Sequence, residues 1–372
     1  MATANELLRD QAVSHLVNLQ HHSNGVVYRI IAVLNRVDAR LFAALTLALD
    51  QMPSSHFNAD RLEQLLFSVR ALNRQAYEDV GRELTPELRA LVDYEAGYQL
   101  RLFEGVIPPQ VRVALKIAEV NVEQAYSAAL ARPFQGVLLR QALDGLEAGR
   151  QKLIRQTLAH GYVENKTVAQ MVQEMRGTRA NQYNDGIFAR SRADTESVVR
   201  TATSHFAGVT RDRFMLANND LIAAQSWTST LDGRTSEPCI LRDGKRYTND
   251  INPKPVGHSL PWGAGPGRFH WNCRSCSTPI TKSFRDLGLN IDEFSPGTRA
   301  SMDGQVPAET TYADWLKRQS AARQDEVLGA TRGKLLRDGG FTVDRFANDK
   351  GRWLTLDELK ARDASAFKRA GL

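Results

Sequence analysis

The sequence predicts an α+β protein that is predominantly helical: an N-terminal helical region, a small loop-rich α+β module with a zinc knuckle, and a short helical tail. Three observations lead there. Apolar residues recur at spacings of three and four through roughly the first 160 residues, the signature of amphipathic helices. No proline stands between Phe134 and Glu237. Eight of the 13 prolines and all three cysteines then crowd between Pro238 and Pro307, where long helices cannot persist. These shifts divide the chain into residues 1–160, 161–300 and 301–372.

The helices can be justified in order. In RIIAVLNRVDARLFAALTLAL, Ile30, Val33, Leu34, Val37, Leu41 and Leu45 form one stripe. The next segment places Leu62, Leu65, Leu66, Val69, Leu72 and Ala76 on one face, with Asn58 or Asp60 as its cap. Breaks are expected at QMPSSHFN, LTPEL, GVIPPQ and ARPFQG, so the region reads as an antiparallel helical array. Periodicity continues through TVAQMVQEMRG and then through SRADTESVVRTATSHFAGVTRDRFMLA. There Val198, Ala202, Phe206 and Val209 share a face, and Ser191 with Asp194 has capping-box spacing. His205, on that helix, reads as a core or surface histidine rather than a ligand.

Composition narrows the class. The 372 residues are 42% hydrophobic and 24% charged, ordinary for a globular protein and too many for a single core. The longest apolar run, LFAALTLAL, falls short of the ~18 residues a membrane span needs. The first residues lack the basic-then-apolar layout of a secretory signal, so folding in the cytoplasm is expected. Of the net charge of +6, the segment 317–372 supplies +5, from 13 Lys or Arg against 8 Asp or Glu. Acids interleave with bases along it, which favours a solvated helical face over a nucleic-acid grip.

The loop-rich segment has little apolar material with which to offset backbone entropy, with short strands expected only around AQSWTST and STPITKS. Metal chelation would pin it. His270 and Cys273 are spaced H-x-x-C, Cys273 and Cys276 C-x-x-C, and Cys239 is the remaining cysteine. Together they make a Cys3His set, the donor pattern of a closed structural zinc site. His258 competes for the fourth place. A Cys273–Cys276 disulfide, cysteines that merely pack, and a catalytic zinc with Glu237 as base are the other readings; structural zinc leads them. The GAGPGR stretch lacks the Gly-Lys-Ser/Thr ending of a phosphate loop, and no Gly-x-Ser-x-Gly elbow is present, so no catalytic residues are assigned.

The order RTATSHFAGVTRDRF, WTSTLDGRTSEPC, RDGKRY and HWNCRSCSTPI resembles the Mu F-like domain of phage head morphogenesis, or minor head, proteins. The matching positions are Arg200, Thr201, Trp227, Asp232, Arg234, Thr235, Cys239, Asp243 to Lys245, Tyr247, His270, Cys273 and Arg274. Residues 312–340 also look like the carboxyl-terminal part of such proteins, while residues 1 to about 160 are not covered. Many relatives close with Cys-Arg-Cys; this chain has Cys273-Arg274-Ser275-Cys276, one residue longer. The resemblance implies a non-enzymatic virion component, made in the host cytoplasm and enclosed in the head near the portal. Its implied partners are the portal protein and other head proteins, with packaged DNA as a further candidate and no membrane. Residues 1–160 would supply the portal-docking part. The alternative reading is a zinc-containing DNA-binding or DNA-processing protein.

Overall fold

A computed structural model describes residues 4–50, 59–283, 286–287 and 298–372. The protein is α+β and predominantly helical. Two long helices open it, α1 (Ala4–Asp50) and α2 (Ala59–Val106). Five more follow: α3 (Pro109–Ala114), α4 (Val122–Ala131), α5 (Leu139–Val163), α6 (Val168–Arg176) and α7 (Ile187–Ala217). Next come β1 (Ile222–Ser229), α8 (Glu237–Arg242), β2 (Arg246–Thr248), β3 (Pro255–Val256) and β4 (Ser275–Thr281). A hairpin of β5 (Thr298–Ser301) and β6 (Gly304–Pro307) leads to α9 (Tyr312–Lys317) and α10 (Ala321–Leu328). The short helices α11 (Ala330–Arg337), α12 (Leu356–Arg362) and α13 (Ala364–Arg369) complete the order.

The expected stripe on α1 is buried at all six positions from Ile30 to Leu45. On α2, Leu66, Val69 and Ala76 are buried and Leu72 is half-buried. The break at residues 51–58, the Asn58 cap, and the side chains of Asp60, Leu62 and Leu65 lie outside the described residues. The breaks at GVIPPQ and ARPFQG occur as expected, between α2 and α3 and after α4.

Two expectations are corrected. The chain does not break at LTPEL, because α2 runs through Pro86. Buried Leu84 and Leu88 hold the helix on both sides, while Pro86 is exposed, so water can satisfy the carbonyl that proline leaves without a partner. The Thr85 hydroxyl donates to the Gly81 carbonyl at 2.8 Å beside it. Nor do Ser191 and Asp194 cap α7, which begins four residues earlier at Ile187. Phe188 is buried there and stacks near Phe42 with ring centroids 4.9 Å apart, which rewards the extra turn. The preceding loop is closed by Asp185, which accepts from Thr178 and Asn181.

Packing groups the chain into two compact units drawn from separated stretches. One comprises Gln20–Leu91 and Leu130–Thr203 and, among the described residues, is all-helical apart from the isolated bridge between Phe134 and Val137. Its core joins Leu41 and Leu45 of α1, Leu66 and Val69 of α2, Ile154 and Leu158 of α5, Met171 and Met175 of α6, and Phe188 of α7. Asp38 accepts from the buried Arg150 and, at 3.3 Å, from Arg192. Burial pushes Asp38 up, and these two guanidinium groups oppose the shift.

The other unit comprises Met1–Leu19, Val92–Ala129 and Ser204–Leu372. It carries a four-stranded antiparallel sheet in the order β3-β2-β1-β4. Both strands expected from sequence are present, β1 at AQSWTST and β4 at STPITKS. Phe103, Ile107, Phe214, Met215 and Leu221 make one core. A second joins Ile240 and Leu241 of α8 to Tyr312, Trp315, Leu316, Leu335 and Phe346. The tail is therefore packed on its apolar side. Its bases stand outside beside acids, as in Arg337 to Asp325 at 2.8 Å and Arg352 to Glu358 at 2.7 Å. His205 is a core histidine, buried with Nε2 2.9 Å from the Ala129 carbonyl.

Candidate metal centre

The segment between β1 and α8 is a turn closed by its own side chains. Asp232 accepts from the Arg234 amide at 2.9 Å, and the Thr235 hydroxyl donates to the Thr230 carbonyl at 2.6 Å. Arg274 pairs with Asp232, tying this turn to the knuckle that precedes β4. Ser236 occupies the N-cap position of α8 and Pro238 the first turn, where its missing N–H costs nothing. The Ser236 side chain makes no cap bond. It lies instead 2.6 Å from His270 Nε2. Cys239 follows inside α8, buried.

The knuckle supplies the other two groups. Asn272 adopts φ 56°, a left-handed turn that Asn tolerates, and the Cys273 amide donates to the His270 carbonyl at 3.2 Å. Cys239, His270 and Cys273 thereby place their donor atoms within 4.8 Å of one another. Cys239 Sγ lies 3.7 Å from Cys273 Sγ and 3.3 Å from His270 Nε2. Two sulfurs on one tetrahedral zinc, with arms of about 2.3 Å, stand about 3.8 Å apart, and a sulfur and an imidazole nitrogen about 3.6 Å. The two distances from Cys239 are close to those values. Nδ1 of His270 lies 2.9 Å from the Trp271 carbonyl, which fits Nδ1–H donation and leaves Nε2 to face the thiols.

Protonation points the same way. Burial would push the Cys273 thiol up, but bonds from Cys239 and His270 hold it well below the usual thiol range. The Cys239 thiol, bonded to Cys273 and buried, is pushed well above that range. Burial draws His270 down, and the neighbouring Cys273 more than reverses this. The shifts run in opposite directions on the two thiols, with the Cys273 sulfur favoured as the anion. A divalent cation binds thiolate sulfur and neutral imidazole nitrogen in place of protons.

Cys276 is not brought to this group. It lies on β4 opposite Thr228 of β1, and its side chain packs among Ala12 and Leu16, with Sγ 4.0 Å from the Ala12 carbonyl. The cause is strand alternation: successive side chains take opposite faces. Ser275 faces Cys239, its hydroxyl bonded at 3.0 Å to Ser229, whose own hydroxyl donates to the Cys239 carbonyl at 3.1 Å. Cys276 must therefore face away. His258 is also elsewhere, with Nε2 2.8 Å from the Arg246 carbonyl and its ring against Tyr247. The three gathered donors stand beside two serine hydroxyls, Ser236 and Ser275, which sequence reasoning does not single out. Ser236 reads from sequence as an ordinary helix cap, and Ser275 as the one-residue insertion.

An aromatic wall backs the group. Trp227, Tyr247 and Trp262 are buried with Cys239 and Cys273, and Phe269 packs on them. Trp227 meets Trp262 and Phe269 edge-on at 5.5 Å, and the Arg242 guanidinium lies 4.4 Å over Phe269. Burial pushes the Tyr247 hydroxyl up to about 12. Asp243, at the end of α8, accepts from the Ser229 amide at 2.7 Å and from the buried Arg299 at 2.8 Å. Arg200 and Thr201 do not take part; Arg200 pairs with Glu196 at 2.6 Å and bonds Asn24.

Compared with known protein families, with curated proteins and with solved structures, the chain matches none.

Proposed function

We propose that the protein is a phage minor head protein that acts in procapsid morphogenesis in association with the portal, and that Cys239, His270 and Cys273 hold a structural zinc. The supporting observation is that four of the residues carrying the sequence resemblance, distant along the chain, share one core. Trp227, Cys239, Tyr247 and Cys273 are buried together, with His270 against Cys239. An ordered motif whose members meet in space is more specific than the same letters scattered through a fold.

In this reading the metal is a cross-link. It joins α8 to the turn before β4 and so closes the proline-rich loop 240–269. Two thiolates and one imidazole select zinc over harder cations. The fourth position falls to a hydroxyl of Ser236 or Ser275, or to water. The role is architectural, and the portal contacts are assigned to the helices of residues 1–160. Mass spectrometry of purified virions from the phage that encodes the chain tests the assignment. A few copies per head, lost together with normal head assembly when the gene is deleted, are expected. Its absence from purified heads and procapsids contradicts the assignment.

A further inference from the structure

The all-helical unit carries a feature that neither the metal group nor the portal reading uses. Two hollows, of about 370 and 420 Å³, flank the exposed side of α5 and share Lys152 as their common wall. Arg150 and Arg190 line the first, and Arg70, Arg74 and Arg155 the second. Against these six bases the linings contain two acids, Asp194 and Glu147. Only Arg150 is buried, and it is neutralised by Asp38. Arg74, Lys152 and Arg190 are exposed and make no ion pair with an acid among the described residues. Asn73, donating to the Glu147 carbonyl at 2.9 Å, fixes α2 against α5 and so holds the Arg70 and Arg74 pair beside Lys152.

We propose that this face binds the phosphodiester backbone of duplex nucleic acid, independently of sequence. Guanidinium forks and an ammonium suit phosphate oxygens, and clustered like charges are costly unless a polyanion meets them. The floor of the first hollow supports close approach. Nothing lies within 4 Å of where a Cβ would stand on Gly145 or Gly149, so a phosphate can reach the helix surface there.

Other occupants fit less well. None of the lining residues is aromatic, so unstacked bases of a single strand would find no platform. A protein partner would be expected to find a buried aromatic or apolar anchor, and only Leu146, Ala148 and Leu153 contribute apolar surface. The lining runs from Gly145 to Gln156, about 16 Å of helix, which spans on the order of ten phosphate charges of a duplex.

The test uses the full-length protein and a fluorescein-labelled 24-base-pair DNA duplex of arbitrary sequence, with binding followed by anisotropy across a salt series. The variant combining Arg74→Glu, Lys152→Glu and Arg190→Glu should weaken binding at least about tenfold and lower the salt slope by about one for each phosphate no longer neutralised. Lys152→Arg should bind as the parent does. The tail variant Lys334→Glu with Lys368→Glu should also leave binding unchanged, which separates this face from the basic tail. Circular dichroism melts check that each variant is folded. Failure of the parent protein to bind duplex at low salt overturns the proposal, as does parental affinity in the triple variant. Displacement of the duplex by polyglutamate of equal charge as efficiently as by unlabelled duplex would overturn it in favour of an acidic protein partner. None of these outcomes depends on portal association or on bound zinc.

Discussion

The all-helical unit and the module around Cys239 differ in what fills their interiors. The first is closed by aliphatic and aromatic side chains from five helices, Leu41, Leu66, Ile154, Met171 and Phe188 among them. The second buries polar groups along β1 and the edge strand β4. Gln225, Ser226, Thr228 and Ser229 of β1 and Ser275, Ser277 and Thr278 of β4 are all buried. They bond across the sheet, as in Thr228 to Thr278 at 2.8 Å. A hydroxyl pair contributes little net stability compared with the burial of a leucine. The module therefore adds specific polar links to its aromatic cluster, whereas the helical unit depends on summed area.

The largest effect that could break this contrast comes from Cys273→Ser. Loss of a metal thiolate should abolish zinc binding and accelerate proteolysis between residues 236 and 280, with the helical unit's cleavage rate unchanged; mass spectrometry of the fragments checks it. Equal protection of the module in the variant would show that packing alone holds it. Phe188→Ala probes the opposite side. Phe188 is buried against Phe42 and under the Arg150 guanidinium at 4.2 Å, so truncation should cost about 3–5 kcal/mol in denaturant unfolding while zinc content stays at one per chain.

A smaller effect concerns a buried charge in the sheet-bearing unit. Glu95 is fully buried, and although burial pushes it up, Arg211 at 2.8 Å and His15 at 2.5 Å overcome this and hold it at about 2. A carboxyl held below its ordinary value of 4.5 stabilises the fold above that pH and loses the contribution as pH falls toward 2. The contribution is about 3 kcal/mol at neutral pH. Glu95→Gln should therefore be destabilised at pH 7 and converge with the parent near pH 2, as read by urea unfolding across that window. The smallest expected change is a gain. Ser275→Cys restores the Cys-Arg-Cys spacing on the face that points at Cys239, and should tighten zinc binding by about tenfold or more, about 1.4 kcal/mol, in chelator competition.

These outcomes follow from forces that differ in how plainly a sequence displays them. The stripe from Ile30 to Leu45 is legible because every buried position repeats with the helix period. Cys239, His270 and Cys273 are legible because cysteine is rare here and the spacings suit one ion. Cys276 misleads because C-x-x-C is read as a knuckle, whereas β4 begins at Ser275 and alternation turns the second thiol away. LTPEL misleads because a proline on an exposed helix face costs less than the burial of Leu84 and Leu88 returns. The joining of Val92–Ala129 with Ser204–Leu372 in one unit leaves no local trace, since it rests on pairs such as Arg211 and Glu95, 116 residues apart.

Zinc K-edge X-ray absorption on the purified full-length protein tests the central claim most directly. One zinc per chain is expected, with two sulfurs at about 2.3 Å, one imidazole nitrogen at about 2.0–2.1 Å and one oxygen. A first shell of three sulfurs, or a protein that purifies without zinc and does not take it up, would contradict it.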